Sequence, residues 1–334
     1  MTGFKRATVS AAGLVAAAML VPAAGFAQPA PAAWSSAEGR WEHWKDGAFA
    51  SSEAHYNALK AAAHGGVKHT RLTIPDWSGV WTSARRPGWG TVRYKNAPGA
   101  PTDFGPPFPG APAADPNGPQ PERPLLTPLY QKKLEAELDR VAHGVEWDYL
   151  SYCLPAGFPR WYTEPFLREF ITTPTETWMT NEQQSETRRI YTDGRGHTPE
   201  DERYALWEGD SIGFWDGDTL VIHTISLKPG EWNRSHPEYS DKTETVELVR
   251  KNKEGLIETR MTVYDPESLQ KPWHVIFGSQ RVTQPADLRI NMWACTENNN
   301  VVKTAEGVTQ FVLPGEAGYK DPSSFANSPP PGGQ

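Results

Sequence analysis

The sequence feature that most constrains the fold is a pair of β-rich runs joined by a short turn. Ser211–Trp215 and Asp218–Ile225 are separated by Asp216-Gly217. An Asp-Gly pair accepts the positive φ angles of a type I′ turn, whose twist suits a right-twisted hairpin. The two runs are therefore predicted to form an antiparallel hairpin with a two-residue turn.

A two-residue turn also fixes which side chains face one another. With Asp216-Gly217 as the turn, Asp210 lies opposite His223, and side chains alternate across each strand. The face that carries both groups is mostly apolar, so it is predicted to point inward with an Asp–His pair at its far end. A carboxylate beside an imidazole orients its tautomer and raises its pKa, as a general base requires. The alternative is a buried pair with a purely structural role.

A loop of turn-forming residues, TDGRGHTPED, precedes the hairpin. Its stretch holds four side chains able to do chemistry: Tyr191, Asp193, Arg195 and His197. Polar groups in a loop beside a rigid sheet are a common way to build a site. We predict His197 or the hairpin histidine as a base, Tyr191 as an acid, Asp193 as a further catalytic group and Arg195 as the holder of an anionic group. The alternative is a solvated turn.

The segment CLPAGFPR, from Cys153 to Arg160, is predicted to form a rigid turn between helix and sheet because it contains two prolines and a glycine. Arg160 and Tyr162 at such a turn could bind a carboxylate or a sugar. The alternative is a structural corner in which Arg160 pairs with an acidic residue. Trp215 joins the predicted binding residues because a Trp face stacks on sugars and aromatic ligands.

The N-terminus has the pattern of a secretory signal. Lys5 and Arg6 precede an apolar run, and small residues around Ala27 suit cleavage. Residues 1–27 are therefore predicted to be a cleaved signal peptide, which makes the mature protein periplasmic or secreted. No later stretch approaches the ~20 apolar residues of a membrane-spanning helix.

The charge balance bears on the partners. The chain has a net charge of −7, and loss of the two positive charges in residues 1–27 brings it to −9 (−7 − 2). An acidic surface argues against nucleic acid and anionic membranes. We therefore predict a small-molecule ligand or substrate, no nucleic acid and no membrane span. The oligomeric state is left open.

The sequence favours neither a metal nor a cofactor. Cys153 and Cys295 are its two cysteines, and in an oxidising compartment they could close a long loop and stabilise the fold by a few kcal/mol. The sequence contains no CxxC, HExxH or zinc-type spacing, and no phosphate-binding glycine loop, nicotinamide fingerprint or nucleophile elbow. We predict an activity without a cofactor.

Three regions follow the predicted signal peptide. Residues 28–74 are predicted to form a helical arm, with Ser51-Ser52-Glu53 as a cap and Gly65-Gly66 as a stop. Residues 75–320 are predicted to form one β-barrel domain, with a Pro-rich loop at 85–126 and a helix from Thr127-Pro128 to Gly144. Residues 321–334 are predicted to be a disordered tail.

About ten antiparallel strands are predicted in the main domain. Besides the hairpin they are Ser78–Ser83, Leu167–Thr172, Thr177–Asn181, Arg188–Thr192, Glu244–Lys251, Leu256–Tyr264, Trp273–Val282 and Leu288–Ala294. Such meanders hide their edges by closing into a barrel or by pairing as a sandwich. The predicted fold class is mainly β, an antiparallel barrel with a few flanking helices.

Gly79-Val80-Trp81, at the first strand, resembles the Gly-x-Trp that begins lipocalin and other calycin barrels. The resemblance implies a Trp81 buried at a closed end of a lipocalin-like barrel. It also implies an arginine near the indole face, a place that Arg281 or Arg289 could fill.

A longer resemblance covers Pro75 to Asn299. The runs DWSGVW, CLPAGFPR, RRIYTDGRGH, GDSIGFWDGDTLVIHT, DPESLQKPW and WACTENN are similar to those of a large, uncharacterised family of exported bacterial proteins. The resemblance supports the strand register and implies a Cys153–Cys295 disulfide. The chain departs from the family pattern at Thr296, where a His is usual, at His223, where an Asp is usual, and at Tyr239, where a His is usual.

Two classes of function fit these patterns. The first is a lyase, isomerase or hydrolase that acts by acid–base chemistry on a small apolar, aromatic or sugar-like substrate. The second is a lipocalin-like carrier of a small hydrophobic ligand, which needs the same cavity but no matched acid and base. The polar groups of residues 188–223 favour the enzyme.

Overall fold

A computed structural model describes residues 30–91, 119, 121–142, 150, 153–233, 236–285, 287–291, 301–303, 309–312 and 315–319. The predicted signal peptide, most of the Pro-rich loop, Cys295 and the predicted tail lie outside these residues. The cleavage site, the Cys153–Cys295 link and the disorder of residues 321–334 therefore stay predictions.

Three α-helices and thirteen strands make up the described structure. The helices are α1 (Ala37–Glu42), α2 (Ser52–Ala62) and α3 (Pro128–Ala142). The strands are β1 (Val80–Ala84), β2 (Arg168–Thr172), β3 (Glu176–Asn181), β4 (Thr187–Tyr191), β5 (Asp210–Asp216), β6 (Thr219–Ile225), β7 (Gly230–Glu231), β8 (Glu238–Tyr239), β9 (Glu244–Lys251), β10 (Ile257–Tyr264), β11 (Trp273–Arg281), β12 (Val301–Lys303) and β13 (Thr309–Phe311).

Nine strands close into a barrel in the order β1-β11-β10-β9-β6-β5-β4-β3-β2. The predicted mainly β barrel is confirmed. The prediction that it is purely antiparallel is wrong, because β4 and β5 run parallel. A parallel pair needs a crossover connection, and residues 192–209 provide it. The predicted strand at Leu288–Ala294 is irregular over residues 288–291, and its remainder lies outside the described residues.

The central hairpin turns one residue later than predicted. Asp216 pairs with Thr219, so the turn residues are Gly217 and Asp218. Gly217 has a φ of 59°, whereas the φ of Asp218 is not positive. Glycine at the first central position with positive φ is the pattern of a type II′ turn, the other turn that suits a two-residue hairpin.

The later turn shifts the register by two residues. Asp210 lies opposite Ile225 and His223 lies opposite Ile212. The predicted direct pairing of Asp210 with His223 is therefore wrong. A shift by an even number keeps each side chain on its face, so the prediction that Asp210 and His223 share one face holds.

That shared face lies on the outside of the barrel, which corrects the prediction that it points inward. The lumen receives the alternate residues, among them Trp215, Leu220 and Ile222, which belong to the main buried cluster with side chains from every part of the barrel. The outer face carries Phe214 and Val221, which pack in a second cluster with the N-terminal arm. Both faces of the hairpin are buried, so apolar character alone could not show which one faces the lumen.

The N-terminal arm covers the outer face. Ser51 caps α2 by accepting a hydrogen bond from the Ala54 N–H, as its sequence predicted. Arg40 forms a bidentate ion pair with Asp216, with 2.6 Å from both Nε and Nη2 to the carboxylate oxygens. Both partners are buried. The arm is thus fixed to the hairpin by apolar packing and by a charge-assisted pair of hydrogen bonds.

Trp81 is fully buried, as the Gly-x-Trp pattern implied. Its indole N–H donates to the Trp77 carbonyl at 2.9 Å. Arg281 packs against the backbone of Gly79, where a Cβ would lie 2.8 Å from the Arg281 Nε. The cation over the Trp81 ring is Lys251, 6.0 Å from the ring centroid, so Arg281 contacts the glycine of the motif.

Candidate functional site

Three of the predicted catalytic residues meet on the outer face of the barrel. The Nδ1 of His197 lies 3.3 Å from the Oδ2 of Asp210, and the Nε2 of His197 lies 2.9 Å from the Nδ1 of His223. The crossover loop thus inserts His197 between two strand residues that do not pair directly. The predicted Asp–His pair is replaced by an Asp–His–His arrangement.

The network continues through Ser52 of the arm and Glu244 of β9, neither of which is predicted from the sequence to belong to a site. The His223 Nε2 lies 2.9 Å from the hydroxyl of Ser52, the first residue of α2. Ser52 in turn donates a hydrogen bond to the carboxylate of Glu244, the first residue of β9. The sequence predicts only helix capping for Ser51 and Ser52, and Ser51 performs that role.

Burial sets the electrostatics of the network. His223 is 3% exposed and stacks on the ring of Tyr56. Burial, followed by repulsion from a charged His197, lowers the pKa of His223 to about 3, and Asp210 only partly offsets this. The predicted rise in its pKa is therefore wrong, because desolvation disfavours the imidazolium more than a carboxylate behind another imidazole favours it.

Asp210 is held in its ionised form. Burial opposes its ionisation, but the contact with His197 and the N–H of Thr198, 2.8 Å away, lower the pKa of this carboxyl below its usual value. The 3.3 Å contact with His197 is an ion-pair contact, since the Nδ1 of His197 lacks an aligned hydrogen bond. Asp210 therefore orients His197 mainly by charge.

The other groups of the crossover loop lie apart from this network. Arg195 forms an exposed ion pair with Asp193, and its guanidinium lies 4.1 Å from the centroid of the Tyr191 ring. On the outer face, Tyr191 of β4 lies beside Ile212 of β5, and Ile212 lies opposite His223 of β6. Two strand spacings of about 4.8 Å separate Tyr191 from His223. The structure therefore does not bring Tyr191 and Asp193 to the histidines.

The predicted binding residues of the CLPAGFPR turn and the hairpin face the barrel interior. Arg160 is buried and its Nε donates to Glu164 at 2.8 Å, which matches the structural-corner alternative. Tyr162 donates to Glu247 at 3.2 Å and stacks on Phe277. Trp215 packs against Trp77. These residues therefore lie on the other side of the barrel wall from His197.

The lumen contains a fully buried ion pair. The Nη2 of Arg188 lies 2.5 Å from the Oε1 of Glu247, and its Nη1 lies 3.1 Å from the Oε2. Ser211 and Thr224 accept the remaining hydrogen bonds of the guanidinium, whose carbon lies 3.7 Å from the centroid of the Phe158 ring. Because the pair crosses from β4 to β9, it ties opposite parts of the wall together.

A second group of titratable residues was missed by the sequence. Glu186 precedes β4, Glu208 precedes β5, and the two carboxyl groups are close enough for the charge of Glu186 to act on Glu208. Burial, followed by repulsion from Glu186, raises the pKa of Glu208; Arg188 only partly offsets this. Burial also raises the pKa of Glu186, against the backbone N–H groups of Gly157 and Ala156.

The protons explain how this carboxyl pair is tolerated. Both Glu208 oxygens are buried, and two neighbouring buried carboxyl groups disfavour a second negative charge. If one proton is shared, one carboxyl donates to the other, because a protonated carboxyl is a donor and an ionised one only accepts. No local pattern in the sequence joins residues 186 and 208, since the barrel end brings them together.

Within the described part of the chain, no cluster of three or more His, Cys, Asp or Glu side chains is arranged to hold a metal ion. Among the same residues, no helix is both long and apolar enough to span a membrane. No protein-family model and no curated protein matches this sequence.

Proposed function

We propose that the protein is an exported enzyme that acts by acid–base chemistry, with His197 as the group that exchanges protons with the substrate. The observation that carries the proposal is the position of His197 between Asp210 and His223. Its side chain is 11% exposed, so it can be reached from solvent, whereas His223 and Ser52 are buried.

Each neighbour has a distinct role in this proposal. Asp210 lies 3.3 Å from the His197 Nδ1, which makes no aligned hydrogen bond, so the Nδ1 is the nitrogen that can exchange a proton with a substrate beside a negative charge. His223 stays neutral, so it fixes the Nε2 side of the His197 ring without repelling a proton there. A fixed ring orientation and a stabilised imidazolium are what a general base requires.

The chemistry that suits such a site is a lyase, isomerase or hydrolase reaction on a small apolar, aromatic or sugar-like substrate. The guanidinium of Arg195, two residues before His197 in the same loop, offers a positive charge for an anionic group of the substrate. Its ion pair with Asp193 is exposed, and exposed pairs are weak, so a substrate anion can compete for it.

The carrier alternative has weaker support. A carrier needs an open cup, but Tyr162 and Arg188 both hydrogen-bond to Glu247 within the described lumen. The outer-face site, in contrast, combines a buried neutral imidazole, an ionised carboxylate and an accessible imidazole. Export is part of the proposal on the strength of residues 1–27 and of the family resemblance.

The proposal is tested with the purified mature chain, residues 28–334. We would assay p-nitrophenyl esters and glycosides for hydrolysis, and follow deuterium uptake into small carbonyl compounds by NMR for proton abstraction. Loss of a general base reduces turnover by about 10²–10⁴-fold, and we expect this for His197→Asn. His43→Asn is the matched control, because His43 is exposed on the arm.

Full turnover by the His197→Asn variant would exclude His197 as the catalytic base. A wild-type protein that is inert towards both substrate sets, yet retains a small apolar molecule through purification, would support the carrier instead.

A further inference from the structure

We propose that His197, His223, Ser52 and Glu244 form a proton relay that crosses the interface between the barrel and the N-terminal arm. The relay rests on the proposed function only in giving His197 its role towards a substrate. Its existence depends on the hydrogen bonds alone, so the two proposals can fail separately.

The four groups form one continuous chain. The His197 Nε2 and the His223 Nδ1 are 2.9 Å apart, the His223 Nε2 and the Ser52 Oγ are 2.9 Å apart, and Ser52 hydrogen-bonds to the Oε2 of Glu244. The middle of this hydrogen-bonded chain is shielded from solvent, since Ser52 is fully buried and His223 is 3% exposed. Both ends, His197 and Glu244, are partly exposed.

One arrangement of protons satisfies every link. Glu244 is ionised and only accepts, so the Ser52 hydroxyl donates to it. The Ser52 oxygen then accepts from the Nε2–H of His223, which leaves the His223 Nδ1 as an acceptor for the Nε2–H of His197. With its Nδ1 also protonated, His197 is an imidazolium facing the ionised Asp210.

A second arrangement satisfies the same links in the opposite direction. The His197 Nε2–H bond breaks as a His223 Nδ1–H bond forms, and the His223 Nε2–H bond breaks as a Ser52 O–H bond forms. The original Ser52 O–H bond breaks as an O–H bond forms on Glu244. His197 is then neutral with its proton on Nδ1 facing Asp210, and Glu244 is a neutral acid.

The two arrangements contain the same protons: His197 and Glu244 carry opposite charges in the first and are both neutral in the second. Converting one into the other moves a proton from His197 to Glu244 without any molecule entering or leaving. His223 is not charged in either arrangement, which agrees with its lowered pKa of about 3. A proton therefore passes through His223 in a concerted step and does not stay on it.

The surroundings support transfer along the chain over escape to solvent. On the α2 side, the Tyr56 ring stacks on His223 with 5.3 Å between ring centroids, and His55 is buried nearby. From the barrel and crossover loop, Asp210 and Arg203 are the charged groups that act on His223, with opposite signs. Neither accepts a hydrogen bond from His223, so its described partners are His197 and Ser52.

For the enzyme, this relay moves a proton between the Nε2 of His197 and Glu244 on the side away from the substrate, while the Nδ1 of His197 takes up or returns the substrate proton. It suits lyase and isomerase reactions in which the Nδ1 takes a proton and returns one within the same turnover, because the return of that proton brings the Nε2 proton back from Glu244. His223, Ser52 and Glu244 are then positioning and proton-transfer residues, because they do not touch the substrate.

The first test is NMR of the wild-type protein labelled with ¹⁵N in its histidine rings. We expect a scalar coupling between the His197 Nε2 and the His223 Nδ1 through their hydrogen bond. We also expect His223 to remain neutral from pH 8 down to pH 5. Absence of the coupling in a folded wild-type protein, or a charged His223 at pH 5, would overturn the relay.

The second test is exchange of the His223 ring N–H with solvent. Ser52→Ala removes the link to Glu244, and we expect exchange at least tenfold slower than in the wild type. Ser52→Thr keeps the hydroxyl and is expected to restore the rate. Ser51→Ala, on the adjacent residue, is the control for general loosening of α2. Equal rates in Ser52→Ala and Ser52→Thr would overturn the relay, as would a matching effect of Ser51→Ala.

Glu244→Gln interrupts the same hydrogen-bonded chain from β9 and leaves the sequence of α2 unchanged. It accepts the Ser52 hydrogen bond but cannot take up the proton, and we expect it to slow exchange as Ser52→Ala does. If His197→Asn abolishes turnover but these variants exchange normally, the proposed function stands and the relay fails. If exchange responds as expected but His197→Asn retains turnover, the relay stands and the catalytic role of His197 fails.

Discussion

The two faces of the β5–β6 hairpin bury their polar groups in opposite ways. On the lumen face, Ser211 and Thr224 surround the Arg188–Glu247 pair, in which both partners are charged and every guanidinium nitrogen has an acceptor. On the outer face, one position along each strand, Asp210 and His223 flank His197, and the buried histidine is neutral. Neighbouring residues of the same two strands thus face a buried pair of opposite charges on one side and a buried neutral histidine on the other.

The difference teaches which face is suited to chemistry. A buried ion pair with all its hydrogen bonds made is strongly resistant to change, since removing either partner leaves an unpaired buried charge. A hydrogen-bonded chain with a neutral histidine at its centre and two proton arrangements can change state without leaving a buried charge unpaired. The lumen face therefore serves stability, and the outer face is the one where a proton can move.

The largest expected effect is on the lumen face. Glu247→Gln leaves the Arg188 charge buried without a counter-ion, and breaking such a pair costs about 3–5 kcal/mol. We expect a loss of this size in the free energy of unfolding, measured by urea titration at pH 7. Replacing both partners by Met is expected to recover most of it, because neither charge is then buried.

Glu169→Gln is the matched control, since Glu169 lies half-exposed on β2 and surface changes usually stay within about 0.5 kcal/mol. If Glu247→Gln costs no more than this control, the ion pair does not stabilise the barrel, and the contrast between the faces disappears.

The next largest effect is the dependence of stability on pH that His223, on the outer face, produces in acid. The unfolded state binds a proton at His223 below about its ordinary pKa of 6.5, while the folded state does not until about pH 3. Stability from this group is therefore complete above pH 6.5 and is lost as the pH falls. Between pH 6.5 and 4.5 the loss is roughly 2–3 kcal/mol. We expect His223→Gln to lose that much less than the wild type over this range.

The measurement is a urea titration at each pH, and His43→Gln is the control because His43 is exposed. A wild-type and a His223→Gln protein with the same acid dependence would show that His223 is charged when folded.

A smaller effect of opposite sign is expected at the barrel end. The raised pKa of the Glu186–Glu208 pair means that the folded state keeps a proton that the unfolded state loses above about pH 4.5. Stability from the pair is therefore present in acid and lost as the pH rises. Glu208→Gln removes this dependence, and we expect it to be more stable than the wild type at pH 8.5 by about 1–2 kcal/mol.

Thermal unfolding at pH 5 and pH 8.5 checks the sign. The exposed Glu200 supplies the control Glu200→Gln, which is expected to change neither value. A Glu208→Gln protein that is less stable than the wild type at pH 8.5 would contradict a shared proton.

The smallest effect concerns the turn that fixes which residues belong to which face. Gly217 has a positive φ, and a Cβ there would meet nothing closer than Ala37 at 4.0 Å. Gly217→Ala should therefore cost only the backbone strain, about 1 kcal/mol. Asp218→Ala, at the other turn position, is expected to be nearly neutral. A larger cost at Asp218 would argue for a type I′ turn at Gly217-Asp218, which needs a positive φ at both positions.

The sequence predicts what depends on neighbouring residues. The hairpin, the capped helix α2, the helix α3 and most barrel strands are local patterns, and the structure contains them. The side of the hairpin that faces the lumen could not be predicted, because both faces are apolar and the arm that covers one of them lies far away in the sequence. The parallel pairing of β4 with β5 also depends on the whole barrel.

The site shows the same division. Asp210 and His223 were placed on one face by alternation, and His197 was chosen by its chemistry. Their connection through His197 depends on the path of the crossover loop, which the sequence does not fix. Ser52 and Glu244 are separated by 192 residues, so only the folded chain shows that they meet.

This separation has a consequence for the order in which the molecule is built. Ser52 is synthesised long before Glu244. In the same way, β1 cannot pair with β11 until this last barrel strand has been synthesised. Folds dominated by such distant pairings form slowly. An N-terminal fragment that ends before β9 contains His197, Asp210 and His223 but lacks Glu244, so it cannot complete the hydrogen-bonded chain through Ser52. This chain of hydrogen bonds is therefore finished only after β9 has been added to the barrel.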